Sequence, residues 1–274
     1  DHLTDVEALH LDTTTGADHG TCRIYCRGAT TDLPADGLVW DGWTAAAEHP
    51  IMIIGNWASG SYSADRYKLT DIGDGSAILQ IADTFVEVWN VQLVGGADGD
   101  IGFRAMNGSV LLRNSLVMGT NGRGVAGVHA SGNVIACNVI AIDCATGFSC
   151  VSAGSFYSYN CAAVNGATGF HGGHLINCYA GGNSSTDYSE PGVSIKNSRS
   201  HCYSEDDSLD TAVAAWTTAN FVNVTAGSEN LSLRKGSVLI AAGDDLSADA
   251  VYAFAADWVG HPRPAGLWDV GPDQ

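Results

Sequence analysis

The chain has 274 residues, a formal net charge of −18, 45% hydrophobic residues, 34 glycines and 6 prolines. Lysine occurs only at Lys68, Lys196 and Lys235, so there is no basic cluster for phosphate contact, and neither nucleic acid nor an anionic membrane is expected as a partner. No run reaches the roughly 18 apolar residues of a membrane-spanning helix, and the first residues carry neither the charged nor the apolar region of a signal peptide.

The chain opens on Thr4-Asp5-Val6-Glu7, a capping box, with Leu3, Val6 and Leu9 on one face. A short helix over 4–10 is predicted, within an N-terminal cap at 1–20 that shields an open strand edge. Cys22, Ile24 and Cys26 then alternate with Arg23, Tyr25 and Arg27, a strand with its cysteines inward. Cysteines four apart on one strand lie roughly 13 Å apart, too far for a bridge. Cys137, Cys161, Cys178 and Cys202 sit in similar apolar runs and read as reduced packing residues. The absence of any Cys-x-x-Cys argues against a zinc knuckle.

From residue 86 short β-type runs recur, each with an asparagine near its middle: Asn90, Asn114, Asn138, Asn160, Asn177 and Asn197, spaced by 24, 24, 22, 17 and 20 residues. That period is too short for helical-pair repeats or propeller blades and suits one coil of three short strands. Glycine and small residues fall at the corners, as in Cys144-Ala-Thr-Gly-Phe and Gly166-Ala-Thr-Gly-Phe, where positive φ is needed. Asparagines in phase are expected to bond the coils above and below as a structural ladder. All six prolines lie outside 51–190, as an unbroken strand ladder requires. The fold class is therefore all-β, a right-handed parallel β-helix (solenoid). It is expected as a single domain over 1–274, with coils over 21–210 and a final coil and irregular tail over 211–274. Residues 210–219 are a second candidate short helix.

The coils resemble right-handed parallel β-helix proteins of the pectin-lyase-like superfamily. The tail Gly260-His-Pro-Arg-Pro-Ala-Gly-Leu-Trp-Asp-Val-Gly271 is similar to the closing segment of many of them. Gly42-Trp-Thr, running to His49-Pro-Ile51, resembles β-helix proteins of phages and environmental bacteria. Arg234-Lys235 and the last three residues depart from that pattern. The resemblance implies a fold that hosts lyases, hydrolases, tailspikes and inert scaffolds alike.

If the chain is an enzyme, its candidates are Asp98, Asp100, Arg123, Asp206 and Asp207. Asp98 and Asp100 with Asp143 could hold a calcium ion, the only cofactor left open. Asp206-Asp207 could supply one half of a glycosidase pair, whose other half is not evident. His171 and His174, with His201 or His129, lack the fixed helical spacing of a metal motif, so no metal site is assigned. Trp40, Trp43, Trp57, Tyr157 and Tyr159 are candidate sugar-stacking residues. These readings favour a non-enzymatic structural or binding protein, located on a virion (capsid decoration, head fibre or tailspike-like part) or on a cell surface outside the cell. Its expected partners are further copies of itself, as in a trimer, other surface proteins and glycans. The alternative is a polysaccharide lyase or glycoside hydrolase with an acidic groove.

Overall fold

A computed structural model of the chain describes residues 20–27, 31–32, 38–57, 61–70, 77–95, 101–106, 108–119, 126–130, 133–150, 155–189, 198–206, 208, 214–258 and 260–272. Among them are strands and turns but no helix. The expected helix over 4–10 lies outside the described residues. The second candidate helix is not one: its described part, 214–219, is bent and turned. There Thr217 O accepts from both the Asn220 and Phe221 amides (3.1 Å each), which makes a single turn, while Ala215 O is taken by Thr217 N (2.9 Å) and Asn220 Nδ2 (2.8 Å) and starts no helical ladder.

The described strands form a sheet of thirteen, a sheet of seven and one antiparallel pair, Phe221–Asn223 with Asn230–Leu233. Both large sheets are parallel, and they resolve into three rows. The first row runs through Cys22–Tyr25, Ile51–Ile54, Val86–Trp89, the starts of Ser109–Gly119 and Asn133–Ile142, then Phe156–Tyr159, His174–Ile176 and Ser198–Ser200. The second row contains Lys68–Thr70, Gln92–Gly95, the ends of the same two long strands, Ala162–Val164 and Tyr179–Gly181. The third row includes Ala77–Ile81, Ile101–Ala105, Ala126–Ala130, Thr146–Cys150, Thr168–His171 and Thr186–Ser189. The chain visits the rows in turn and then pairs one level along, which is consistent with a β-helix-like fold.

The corner between the first and second rows explains the recurring asparagine. Asn90, Asn114, Asn138, Asn160 and Asn177 all have φ between 48° and 56°, a left-handed conformation that asparagine tolerates better than most residues. Val86 pairs Val110, which pairs Val134, which pairs Phe156. These steps of 24, 24 and 22 residues match the asparagine spacing. Tyr157 pairs His174, 17 on, and His174 pairs Ser198, a further 24 on. That last step differs from the expected 20. His201, with φ 48°, holds the corner after Asn177, while Asn197 lies outside the described residues.

Alternation within each strand sends one set of side chains inward. Val86, Val88, Val110, Leu112, Val134, Ala136 and Phe156 are buried in the main core. Phe148, Phe170 and Tyr188 stack through successive coils at 4.7 and 5.2 Å, each pair within 8° of parallel. Cys161, Cys178 and Cys202 each follow a corner residue, and their thiols donate to Tyr159 O, Ile176 O and Ser200 O. None of the eight cysteines forms a disulfide, and all but Cys22 are buried.

The outward set is also largely covered. Residues 214–258 and 260–272 wrap the coils and bury two outer clusters, one around Leu116, Ile140 and Tyr179, the other around Cys137 and Tyr159. Leu246, Phe254 and Trp268 cap the second cluster. Burying one large side chain contributes about 1.5–3 kcal/mol, so the irregular tail is a stabilising layer.

Candidate functional site

Between the outer face of the first row and the edge of the tail lies a groove of about 440 Å³. Its floor follows one register line: Glu87 pairs Leu111, Leu111 pairs Ile135, and Ile135 pairs Tyr157. Val251 and Tyr252 of the tail form the facing wall, and Ser109, Asn133 and Ser155 give a polar rim. The next residue on the floor line, His174, stacks on Tyr157 with ring centroids 4.7 Å apart and planes 16° apart.

Two hydrogen bonds from the coils hold the wall in place. Arg113 Nη1 donates to the Tyr252 hydroxyl (3.2 Å), and the Arg113 guanidinium lies 4.8 Å from the Trp89 ring centre. The Tyr159 hydroxyl donates to Asp249 Oδ1 (3.1 Å). Asp249 Oδ1 also accepts from the Val251 and Tyr252 amides at 2.8 and 2.9 Å. Burial pushes the Glu87 carboxyl above its usual range, while the neighbouring Trp89 side chain and Arg113 guanidinium pull it back. Burial likewise pushes the Tyr252 phenol up to about 12.

The asparagine corners anchor the same tail. Asn138 Nδ2 donates to Asn114 Oδ1 (3.0 Å) in the preceding coil and to Ala256 O (3.1 Å) in the tail. Asn177 Nδ2 donates to Asp244 O (2.8 Å), and Asp244 N returns a hydrogen bond to Asn177 Oδ1 (2.7 Å). The Asn160 amide lies between Asn177 Nδ2 (3.1 Å) and both Arg263 Nη atoms (2.9 Å). Its one oxygen serves one side at a time, and the charge-assisted pair with Arg263 is the stronger.

Among the polar clusters, Ser200, His201 and Asp244 come together at one corner. Ser200 Oγ donates to Asp244 Oδ2 (2.8 Å), His201 Nδ1 lies 2.8 Å from the same oxygen, and Ser200 Oγ is 3.0 Å from His201 Nδ1. A hydrolytic triad needs serine and carboxylate on opposite ring nitrogens. Here both meet Nδ1, so the cluster fastens the tail to the coil.

A second cluster surrounds Asp187, which is almost fully buried. Its carboxylate accepts from the Glu205 and Asp206 amides (2.6 and 3.2 Å) and from Asn183 Nδ2 (2.8 Å). Burial raises its pKa. Asp206 reciprocates by accepting from Asp187 N (2.8 Å) and Ser208 N (2.9 Å). Its slight burial acts the other way, but these bonds and the Ser208 hydroxyl hold it below its ordinary value. A third group joins Asn165, whose Nδ2 donates to Glu229 Oε1 (2.6 Å), and Asp143, which burial and the Glu229 charge raise to about 6.

Asp98, Asp100, Arg123 and Asp207 lie outside the described residues, and Asp206 caps a turn. Trp40, Trp43, Trp57 and Tyr159 are 0%, 5%, 0% and 1% exposed. They stand in the core or under the tail, with no ring face open to a ligand. Trp40 and Trp43 pack on each other at 4.9 Å. Tyr157 alone of the five lines the groove. His171 and His174 separate onto the third and first rows, and His171 Nδ1 meets Ser189 Oγ at 2.7 Å. Among the described residues no His, Cys, Asp or Glu group is arranged to hold a metal ion. The sequence reading missed Glu87, Leu111, Ile135 and Tyr252. The signal for the middle two was two outward apolar residues in phase, which an exposed sheet face would not carry.

Comparisons with family models, with curated proteins and with solved structures gave no match.

Proposed function

We propose that the chain is a right-handed parallel β-helix of the pectin-lyase-like kind that acts as a non-enzymatic structural and binding element. In this reading it belongs to a virion surface, as a capsid decoration, head fibre or tailspike-like part, or to a cell surface, and it contacts glycans through the groove. The observation that carries the reading is the groove itself: an aliphatic floor ending at Tyr157, Tyr252 on the facing wall and a polar rim. Such a combination suits a ring with apolar C–H faces and hydroxyl edges. Self-association, as a trimer, belongs to the same proposal. It is supported by exposed apolar side chains on the tail, Val238 at 57% and Leu267 at 62%.

The test is a panel of neutral and acidic polysaccharides with and without calcium, read for both retention and cleavage. Retention without turnover, lost in Tyr157→Ala, supports the proposal. Turnover that Asp206→Ala or Asp143→Asn abolishes overturns it in favour of a lyase or hydrolase. One observation favours that second reading: Asp143, raised to about 6 beside Glu229, is a carboxyl that keeps its proton up to mildly acidic pH, a shift in the direction a general acid needs.

A further inference from the structure

We infer that the groove selects an uncharged pyranose and turns away its uronate counterpart, and that Glu87 decides between them. This rests on the glycan reading above. The floor line from Glu87 to Tyr157 crosses four coils in register, about 14 Å at the usual strand separation, the length of a short oligosaccharide. Tyr157 closes one end and is backed by His174. A sugar face can lie against Tyr157, Ile135 and Leu111, which leaves the far end of the chain beside Glu87.

Among the described residues that line the groove, Glu87 is the one that carries a charge. Its carboxylate accepts hydroxyl donors but repels a second carboxylate, and water is too sparse at that half-buried position to screen the repulsion fully. The Arg113 guanidinium partly offsets the Glu87 charge, but it is not part of the groove lining and turns toward the Tyr252 hydroxyl and the Trp89 ring. The net charge of −18 acts in the same direction at longer range. The selectivity therefore opposes the one a basic or calcium-loaded groove would have.

The experiment titrates matched oligosaccharides that differ only at C6, gluco-, galacto- and manno-oligomers each against its uronate, by calorimetry at low salt. At least one neutral oligomer is expected to bind about tenfold or more tightly than its uronate. Glu87→Gln, which keeps the shape and removes the charge, should bring the two within about twofold with the melting temperature retained. A uronate that binds wild type as well as its neutral partner overturns the inference and leaves glycan binding intact. So does a ratio that Glu87→Gln leaves unchanged. If no member of any pair binds, the glycan reading fails and the inference with it.

Discussion

Asn177 and Asp244, 67 residues apart, hold each other by two reciprocal hydrogen bonds, amide to carbonyl at 2.8 Å and amide to side-chain oxygen at 2.7 Å. A corner residue of the coil thus treats the tail as one more strand. Gly271 N adds a bond to Asn177 O at 2.8 Å. The asparagine row accordingly does two jobs: it turns the chain in a left-handed conformation, and it docks the covering layer.

That arrangement predicts a large effect at Asn177. Alanine loses both side-chain hydrogen bonds and takes on a positive φ it tolerates poorly. At about 1 kcal/mol each, the three losses total about 3 kcal/mol. Glycine keeps the backbone freedom and should recover about 1 kcal/mol of that. Urea unfolding of the two variants checks the order. Equal midpoints for Asn177→Ala and Asn177→Gly would show that conformation contributes nothing here.

Asp143 predicts a pH effect. Its folded pKa is about 6 against an ordinary 3.8. Between those values the unfolded chain is ionised while the folded one keeps its proton. The stabilisation is complete below pH 3.8 and is lost as pH rises through 6. Asparagine imitates the neutral acid and suits the φ of 55° at this site. Asp143→Asn should therefore be more stable than wild type at pH 7, by about 1 kcal/mol once solvent screening of a half-exposed group is allowed for. The two stabilities should converge near pH 4. A constant difference across that range would dismiss the ionisation argument.

The cysteines predict a titration. Burial pushes Cys137 and Cys144 up to about 12 and raises Cys178 and Cys202 strongly. Because only thiolates react, folded protein exposed to an aromatic disulfide reagent at pH 8 should label rapidly at Cys22, the one thiol that is not buried. Denatured protein should label at all eight. Rapid labelling of three or more thiols in the folded state would contradict the packing of the Cys161–Cys178–Cys202 row.

Much of the coil was legible because its physics is local and periodic. Two-residue alternation in Val86-Glu-Val-Trp89 and an asparagine once per turn are both visible in one dimension. The register failed only where residue type was followed instead of phase: Asn197 was chosen, while the corner belongs to His201, which reaches the same positive φ. The site was less legible for a different reason. Tyr157 stood out, but its partners Glu87 and Tyr252 are joined through a tail that has no period, and what the tail covers depends on tertiary contacts. The same covering buries Tyr159, two residues from Tyr157 on the same face, so the sequence cannot tell the pair apart.

The last prediction concerns the groove wall. The Tyr159 hydroxyl donates to Asp249 Oδ1 at 3.1 Å, and that oxygen already serves two amides of the wall. Tyr159→Phe removes one of three bonds and leaves a carboxylate that the amides still satisfy, so the loss should be about 1 kcal/mol. Asp249→Ala strips the Val251 and Tyr252 amides of their common acceptor. It should open the wall locally, with hydrogen exchange at 249–253 rising well above that of Tyr159→Phe. If the floor and wall form one binding surface, Asp249→Ala must also weaken glycan retention while the coil keeps its protection. Retention unchanged in an Asp249→Ala protein whose wall exchanges freely would detach Tyr252 and Val251 from the site and leave the floor line alone to bind.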